Sequence, residues 1–129
     1  METIKIIETD KRLEVHKANI SGSEIHMAML NNTTFRDVAM KNVKIVDANL
    51  SDIEIKEAQL GGAYIHGIDL PPKGHPAYIE GARQRPLRFE DCNLNGSTIT
   101  NCDLSNVEIS NCNIKGLKIN GVLVEDLLK

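Results

Sequence analysis

The chain has 129 residues, of which 41% are hydrophobic and 3% aromatic, and its formal net charge is −3. This length suits one domain, and so weak a charge gives no general bias towards nucleic acid or an anionic membrane. No segment approaches the ~20 apolar residues of a membrane-spanning helix. The acidic N-terminal stretch also lacks the long apolar core of a signal peptide, so we expect a cytoplasmic protein.

Residues 1–12 precede the regular part of the sequence. Ile4, Ile6 and Ile7 favour a strand here. Repeat architectures need such caps, because their first and last repeats would otherwise expose an open edge. We therefore predict an N-terminal cap strand within 1–12.

Residues 13–70 follow a period of five, in which each central apolar residue is preceded two positions earlier by a second, usually smaller one. The central residues are Val15, Ile20, Ile25, Leu30, Phe35, Met40, Ile45, Leu50, Ile55, Leu60, Ile65 and Leu70. This period matches neither a helix nor a plain strand. Positions i and i−2 share a face only where the backbone is extended, and the next pair requires a corner. The pattern predicts flat-sided coils that bury these pairs against neighbouring coils.

Residues 71–86, PPKGHPAYIEGARQRP, interrupt the repeat. Proline lacks the N–H that a ladder between coils requires, so we predict a surface loop or a short helical excursion. The candidate binding residues for an acidic protein or other anionic partner are Lys73, His75, Tyr78, Arg83 and Arg85. The alternative is a tolerated insertion that lies over one face and tucks Tyr78 and Ile79 against the coils.

Residues 87–124 resume the period one residue out of phase. The central residues are Phe89, Leu94, Ile99, Leu104, Ile109, Ile114, Ile119 and Val124. Quintets such as ANISG (18–22), ANLSD (48–52), CNLNG (92–96) and CDLSN (102–106) resemble the A(D/N)LXX consensus of pentapeptide-repeat proteins. The resemblance implies an all-β, right-handed quadrilateral β-helix with four quintets per coil. We expect about five coils interrupted by one loop, in a bacterial protein.

The C-terminal segment 124–129 places Val124, Leu127 and Leu128 at helical spacing. We predict a short cap helix that completes a single solenoid domain over 1–129. Such a cap could also pack on a second subunit, so the chain is expected to be a monomer or a homodimer through this cap.

Three cysteines lie ten residues apart, at Cys92, Cys102 and Cys112. Zinc sites usually draw ligands from closely spaced pairs, which this spacing does not provide. Cysteine also behaves as a small hydrophobe. We therefore expect reduced, buried core residues that thiol reagents cannot reach.

The histidines and the Asn and Asp residues have structural interpretations. His16, His26, His66 and His75 do not converge in the repeat register, so we expect exposed surface residues. The many Asn and Asp residues at i−1 and i+2 suit corners, because they tolerate unusual backbone angles and hydrogen-bond to nearby backbone. Calcium binding is the alternative, and we expect neither a metal nor a cofactor.

No phosphate-binding loop or nucleophile–base pair is present at a known spacing, so no catalytic residue is assigned. We expect a non-enzymatic protein-interaction or scaffold module with an unknown protein partner and no direct nucleic-acid or membrane contact. The resemblance offers one alternative, a topoisomerase-protecting DNA mimic of the fluoroquinolone-resistance type. Such mimicry needs a strong negative field, whereas Arg36, Lys41 and Lys56 interrupt the acidic surface.

Overall fold

The computed structural model describes residues 2–128, and within them strands and helices occur only near the C-terminus. Strand β1 (Lys118–Ile119) pairs antiparallel with strand β2 (Val122–Leu123). Helix α1 (Val124–Leu127) follows directly and is a single turn long. This helix lies within the segment predicted to be helical, although Lys129 is outside the described residues. Its predicted role as a cap stays a prediction.

Contacts divide the chain into two units, one ending at Gln59 and one beginning at Leu60. The first unit contains most of the first repeat segment. The second contains the end of that segment, the loop at 71–86, the second repeat segment and the C-terminal elements.

The backbone of both units turns a corner every five residues, two positions after each apolar centre. The corner residues with positive φ are Lys17, Gly22, Met27, Asn32, Asp37, Asn42, Asp47, Asp52, Glu57, Gly62, Gly67, Asp91, Gly96, Asn101, Asn106, Asn111 and Gly116. Most are glycine, asparagine or aspartate, which occupy the left-handed region at least cost. The predicted use of Asn and Asp at position i+2 is confirmed.

Two kinds of corner alternate along the chain. One kind is closed by a hydrogen bond from the N–H of residue i+3 to the carbonyl of the apolar centre, with N–O distances of 2.8–3.3 Å. These closed corners begin at Ile20, Leu30, Leu50, Leu60, Leu94, Leu104 and Ile114. Positive φ at the third residue alone is the pattern of a type II turn. The corners between them, such as those at Lys17, Asp37 and Asn101, are bends, so the structural repeat is ten residues long.

Between corners, polar side chains lie together on one side of the chain. Ion pairs join residues two apart: Arg12 to Glu14 at 2.9 Å, Lys56 to Glu54 at 4.0 Å, and Arg88 to Glu90 at 3.4 Å. Each pair flanks one apolar residue in the sequence. Because side chains alternate between the two sides of an extended chain, the apolar residue points the other way, as the i and i−2 pattern predicts.

The predicted burial of the apolar pairs is wrong for this structure: none of the described residues is buried. Phe35, Ile55 and Phe89 are 57%, 60% and 65% exposed. The apolar residues that share one side of the chain form what we call an apolar strip. Two apolar strips bury each other only when the next coil lies about 4.8 Å away. The backbone bonds within the repeats join residues three apart in one corner, so they bring no second strip to that distance.

The predicted N-terminal cap strand is also not formed. Ile4, Ile6 and Ile7 lie outside the strands and are 88%, 51% and 68% exposed. A strand requires a paired neighbour, and no other segment pairs with residues 2–12 in the described chain. Met1 lies outside the described residues.

Candidate functional site in the loop at residues 71–86

The loop begins where the corner pattern meets proline. Gly67, which has positive φ, should be followed by a closed corner starting at Leu70, which would place Pro72 at the position of positive φ. The proline ring holds φ near −65°, so this corner cannot form. The next bend is at Asp91. If Leu70 is counted as a closed corner that fails to form, closed corners and bends alternate in the same order before and after the loop.

Three consecutive turns form the loop, and no helix is present in it. His75 N–H donates to the carbonyl of Pro72 at 3.0 Å, with Gly74 between them at φ 98°. Tyr78 N–H donates to the carbonyl of His75 at 2.9 Å, and Ala82 N–H to that of Ile79 at 3.3 Å. This segment is therefore built from turns, and the helical excursion is not formed.

His75 fixes the middle turn with its side chain. Ala77 N–H donates to His75 Nδ1 at 3.0 Å, so this ring nitrogen acts as an acceptor within the loop. Pro76, the residue between them, favours the turn because its ring presets φ. His75 therefore shapes the loop, a role that its assignment as a contact residue did not anticipate.

Tyr78 helps to line an open depression of about 300 Å³ made by the start and the end of the loop. Its apolar lining residues are Leu70, Pro71, Pro72, Ala77, Tyr78, Ile79 and Ala82. Leu70 and Tyr78 are 37% and 40% exposed, which is low for this chain, while Ile79 is 71% exposed. Tyr78 thus lines a depression made mostly by the loop itself and Ile79 stays accessible, whereas the tolerated-insertion alternative placed both residues against the coils.

The cationic candidates lie on either side of this depression in the sequence. Lys73 is inside the first turn, and Arg83 and Arg85 follow the last one; all three are exposed. Arg85 also has a further interaction within the structure. The structure therefore shows a largely apolar depression lined also by Tyr78 and one acid, Asp69, with positive charges beside it in the sequence.

Asn and Asp residues at position i−1 brace five of the seven closed corners, as predicted for corners, while Met29 and Gln59 precede the centres of the other two. Asn19 Oδ1 accepts both the N–H and the hydroxyl of Ser21, at 3.0 and 2.6 Å. The same contact to the N–H of residue i+1 recurs at Asn49, Asn93, Asp103 and Asn113. These oxygens are engaged in backbone hydrogen bonds. Among residues 2–128, no three His, Cys, Asp or Glu side chains lie as a metal ion would require.

Asp103 is the charged member of this set. Ser105 donates to Asp103 Oδ1 from its hydroxyl at 2.6 Å and from its backbone N–H at 2.9 Å. The hydroxyl bond, followed by the backbone bond, lowers the pKa of the Asp103 carboxyl below 3.8 because both favour the ionised form.

The predicted burial of the cysteines is wrong for this structure. Cys92, Cys102 and Cys112 are free and exposed, because no second coil covers them. Each Sγ lies 3.1–3.3 Å from the carbonyl oxygen two residues earlier. Each cysteine directly follows a bend residue with positive φ, and its thiol donates to the carbonyl of the residue just before that bend residue.

Two contacts were not anticipated. The rings of Tyr64 and His66 stack with centroids 3.9 Å apart and an interplanar angle of 13°. Their spacing of two on an extended segment is the signal that could have found them. In addition, Glu125 Oε1 accepts the Gly116 N–H at 2.7 Å, nine residues away in the sequence.

A comparison with protein families matches residues 88–126 to pentapeptide repeats, in eight copies. These residues carry pentapeptide repeats. The match confirms the resemblance, and it places the bends, closed corners and cysteines of 88–126 within the repeats. No curated protein and no solved structure matches the chain. Among the described residues, no helix has the length and apolar content to cross a membrane.

The pentapeptide repeat gives the broad class but not a specific role. It supports a repeat protein of the interaction or scaffold kind. Because a repeat fold alone does not define a function, the role of the loop has to be argued from its own residues.

Proposed function

We propose that this protein is a non-enzymatic protein-interaction module whose loop at residues 71–86 contacts an anionic partner. The loop carries this proposal because it is the one long departure from the repeat, and it is built by its own turns. Loops on regular scaffolds are where binding residues concentrate. Lys73, Arg83 and Arg85 would meet the partner's charge, and Tyr78 would supply apolar contact.

The repeats would form the frame for this loop as a right-handed quadrilateral β-helix of about five coils, with a C-terminal cap helix. Support comes from the five-residue corners and from a depression in the first unit whose rim includes Phe35 and Lys56. These residues are about one four-sided coil apart in the sequence. Closing the coils would bury the apolar strips that are exposed in this structure.

Amide hydrogen exchange tests the closed frame. Amides between corners, such as those of Ile99 and Ile109, are expected to be protected by ladder bonds if the coils close. Exchange at the rate of an unstructured peptide throughout residues 88–116 would overturn this part of the proposal and leave the loop contact to be judged separately.

The loop contact is tested by affinity capture from the native cell. Residues 72–85 are replaced by a Gly/Ser linker in one variant, and a second carries Lys73→Gln, Arg83→Gln and Arg85→Gln. The matched control, with Lys5→Gln, Lys11→Gln and Lys17→Gln, removes the same charge elsewhere. We expect a partner that is captured by the parent and the control and lost by both loop variants. Retention of every partner by the linker variant would overturn the proposal and favour a tolerated insertion.

The DNA-mimic alternative finds no support among the charges of the first unit. Arg36 and Lys56 line one depression together with Asp37 and Glu57, so the surface there is mixed rather than acidic. Four expectations stay predictions. They are a cytoplasmic location, a bacterial source, the lack of direct nucleic-acid or membrane contact, and a monomer or a dimer through the C-terminal cap.

A further inference from the structure

His75 uses a ring nitrogen to brace the middle turn of the loop. Its Nδ1 accepts the Ala77 N–H at 3.0 Å, and its backbone carbonyl accepts the Tyr78 N–H at 2.9 Å. The side-chain bond has the same spacing as the braces of the closed corners, where Asn19 Oδ1 accepts the Ser21 N–H at 3.0 Å. His75 thus forms in the loop the kind of side-chain brace that asparagine forms in the repeats.

The two kinds of brace differ in one property, because histidine titrates and asparagine does not. A neutral imidazole has one acceptor nitrogen, whereas the imidazolium ion carries a hydrogen on both nitrogens and accepts no hydrogen bond. Histidine changes between these forms within about pH 5 to 8. Protonation of His75 would therefore place two donors, Nδ1–H and the Ala77 N–H, where the structure has a hydrogen bond.

The surroundings of His75 offer no partner that would hold a charged ring in place. His75 is exposed, and the charged or titratable groups nearest to it in the sequence are Lys73, Tyr78 and Glu80. Across residues 2–128, no carboxylate forms an ion pair with His75. Asp69, the nearest acid before it, already accepts a backbone N–H through Oδ1. Lys73 adds a charge of the same sign, so a protonated ring would leave its present position.

The turn that His75 braces shapes one side of the depression. Ala77 and Tyr78, whose N–H groups both bond to His75, are among the residues that line it. We propose that His75 is a pH-sensitive switch for this loop: the neutral ring keeps the middle turn closed, and protonation opens the turn and reshapes the depression. Because the bond requires the neutral ring, its contribution is present above the range in which histidine titrates and is lost as the pH falls through that range.

Amide exchange of the full chain, measured by NMR at about pH 8 and pH 5, tests this switch. The reference is His75→Ala, which lacks the acceptor at both pH values and so corrects for the intrinsic pH dependence of exchange. We expect the Ala77 amide of the parent to exchange about fivefold more slowly than in this reference at the higher pH, and at the same rate at the lower pH. The Tyr78 amide should show the same pattern with a smaller change, because its acceptor is a carbonyl that does not titrate.

His75→Asn is the matched variant, because it keeps an acceptor near the position of Nδ1 and removes the titration. Its Ala77 amide should stay about fivefold slower than in the reference at both pH values. The Ser21 amide, whose acceptor belongs to Asn19, should exchange at one common rate in all three chains at each pH.

Three results would overturn the switch. The first is protection of the parent's Ala77 amide that persists at the lower pH, and the second is no protection at the higher pH. The third is a loss of protection with falling pH in His75→Asn as well, since the cause would then lie in another group. These measurements need no partner, so their outcome is separate from that of the proposed loop contact.

Discussion

At the scale of single residues, the corner position imposes the strictest demand on this sequence. An ordinary L-residue in the left-handed region costs about 1–2 kcal/mol, and glycine avoids that cost. Closed corners place only Gly, Asn or Asp there, whereas the bends also admit Lys17, Met27 and Glu57 at φ 51–53°. These three residues are where a single substitution should improve the repeat.

We expect Met27→Asn to raise the free energy of unfolding by about 1 kcal/mol, because asparagine tolerates the left-handed region better. Asn101 and Asn111 already occupy equivalent bends. Val46→Asn is the control, since Val46 is also exposed, 71% against 93%, is not among the residues with positive φ, and does not precede an apolar centre. Urea denaturation measures both variants. An equal change in the two would mean that the corner conformation is not the cause.

The stability of the corner at Asp103 should depend on pH. Its pKa is lowered below 3.8 first by the Ser105 hydroxyl and then by the Ser105 N–H. Because the carboxyl has a lower pKa in the folded than in the unfolded state, its ionisation stabilises the corner at pH values above the unfolded pKa. This stabilisation is lost as the pH falls through the folded pKa. In an NMR titration, the Ser105 amide shift should follow the Asp103 carboxyl below about pH 4.

The variant Asp103→Asn should keep the corner and remove this titration, as the uncharged corner at Asn93 already does for the N–H of Asn95. Ser105→Ala should bring the Asp103 pKa back towards 3.8, because it removes the larger of the two causes. A Ser105 amide that titrates identically in the Asp103→Asn variant would contradict this account.

At the scale of elements, the C-terminal end is where the chain makes its regular structure. Asn120 and Gly121, at φ 49° and 81°, form the two-residue hairpin turn whose twist matches paired strands. Val124 N–H donates to the carbonyl of Leu117 at 3.0 Å and extends the pairing by one step. Glu125, in the first turn of α1, then accepts the Gly116 N–H. The hairpin thereby ties α1 to the last closed corner.

We expect Glu125→Ala to increase the exchange rate of the Gly116 amide roughly fivefold, the equivalent of losing ~1 kcal/mol of local stability. Glu125→Gln keeps an acceptor oxygen and should show a smaller increase. Glu108→Ala removes an exposed carboxylate from the same repeat segment and serves as the control. Unchanged Gly116 exchange in the Glu125→Ala variant would show that the carboxylate does not hold this corner.

The elements differ in how far the sequence predicts them. Corners were predictable because their requirement is local: Asn19 with Gly22, for example, specifies both the capping oxygen and the left-handed residue. Pro72 likewise marks the end of the first repeat segment, because it occupies the corner position. Burial of Phe35 or Cys102 depends instead on contact with another coil. The five-residue period predicts which residues share an apolar strip, but it does not determine whether two strips come into contact. The His75 contact depends on a side chain's rotamer, which no spacing reveals.

At the scale of the whole molecule, the ten-residue alternation is the largest regularity that the chain carries. Within the second unit, bends at Asp91, Asn101 and Asn111 alternate with closed corners at Gly96, Asn106 and Gly116. Asn or Asp precedes the apolar centre in each of these closed corners, and Arg88, Thr98 and Glu108 do so in the bends. The repeat that the backbone follows is therefore a pair of quintets.

This regularity predicts an unequal response to deletions. Removing residues 97–106 takes out one bend and one closed corner and preserves the alternation. Removing residues 102–106 alone places two bend quintets, with Asn101 and Asn111, in direct succession. Because the corner types differ in hydrogen bonding and in the side chains that specify them, the shorter deletion should be the more damaging. We expect the ten-residue deletion to unfold cooperatively in urea, near the parent midpoint, and the five-residue deletion to unfold at a clearly lower urea concentration. A five-residue deletion as stable as the ten-residue one would mean that the two kinds of corner are interchangeable and that the single quintet is the true unit of the fold.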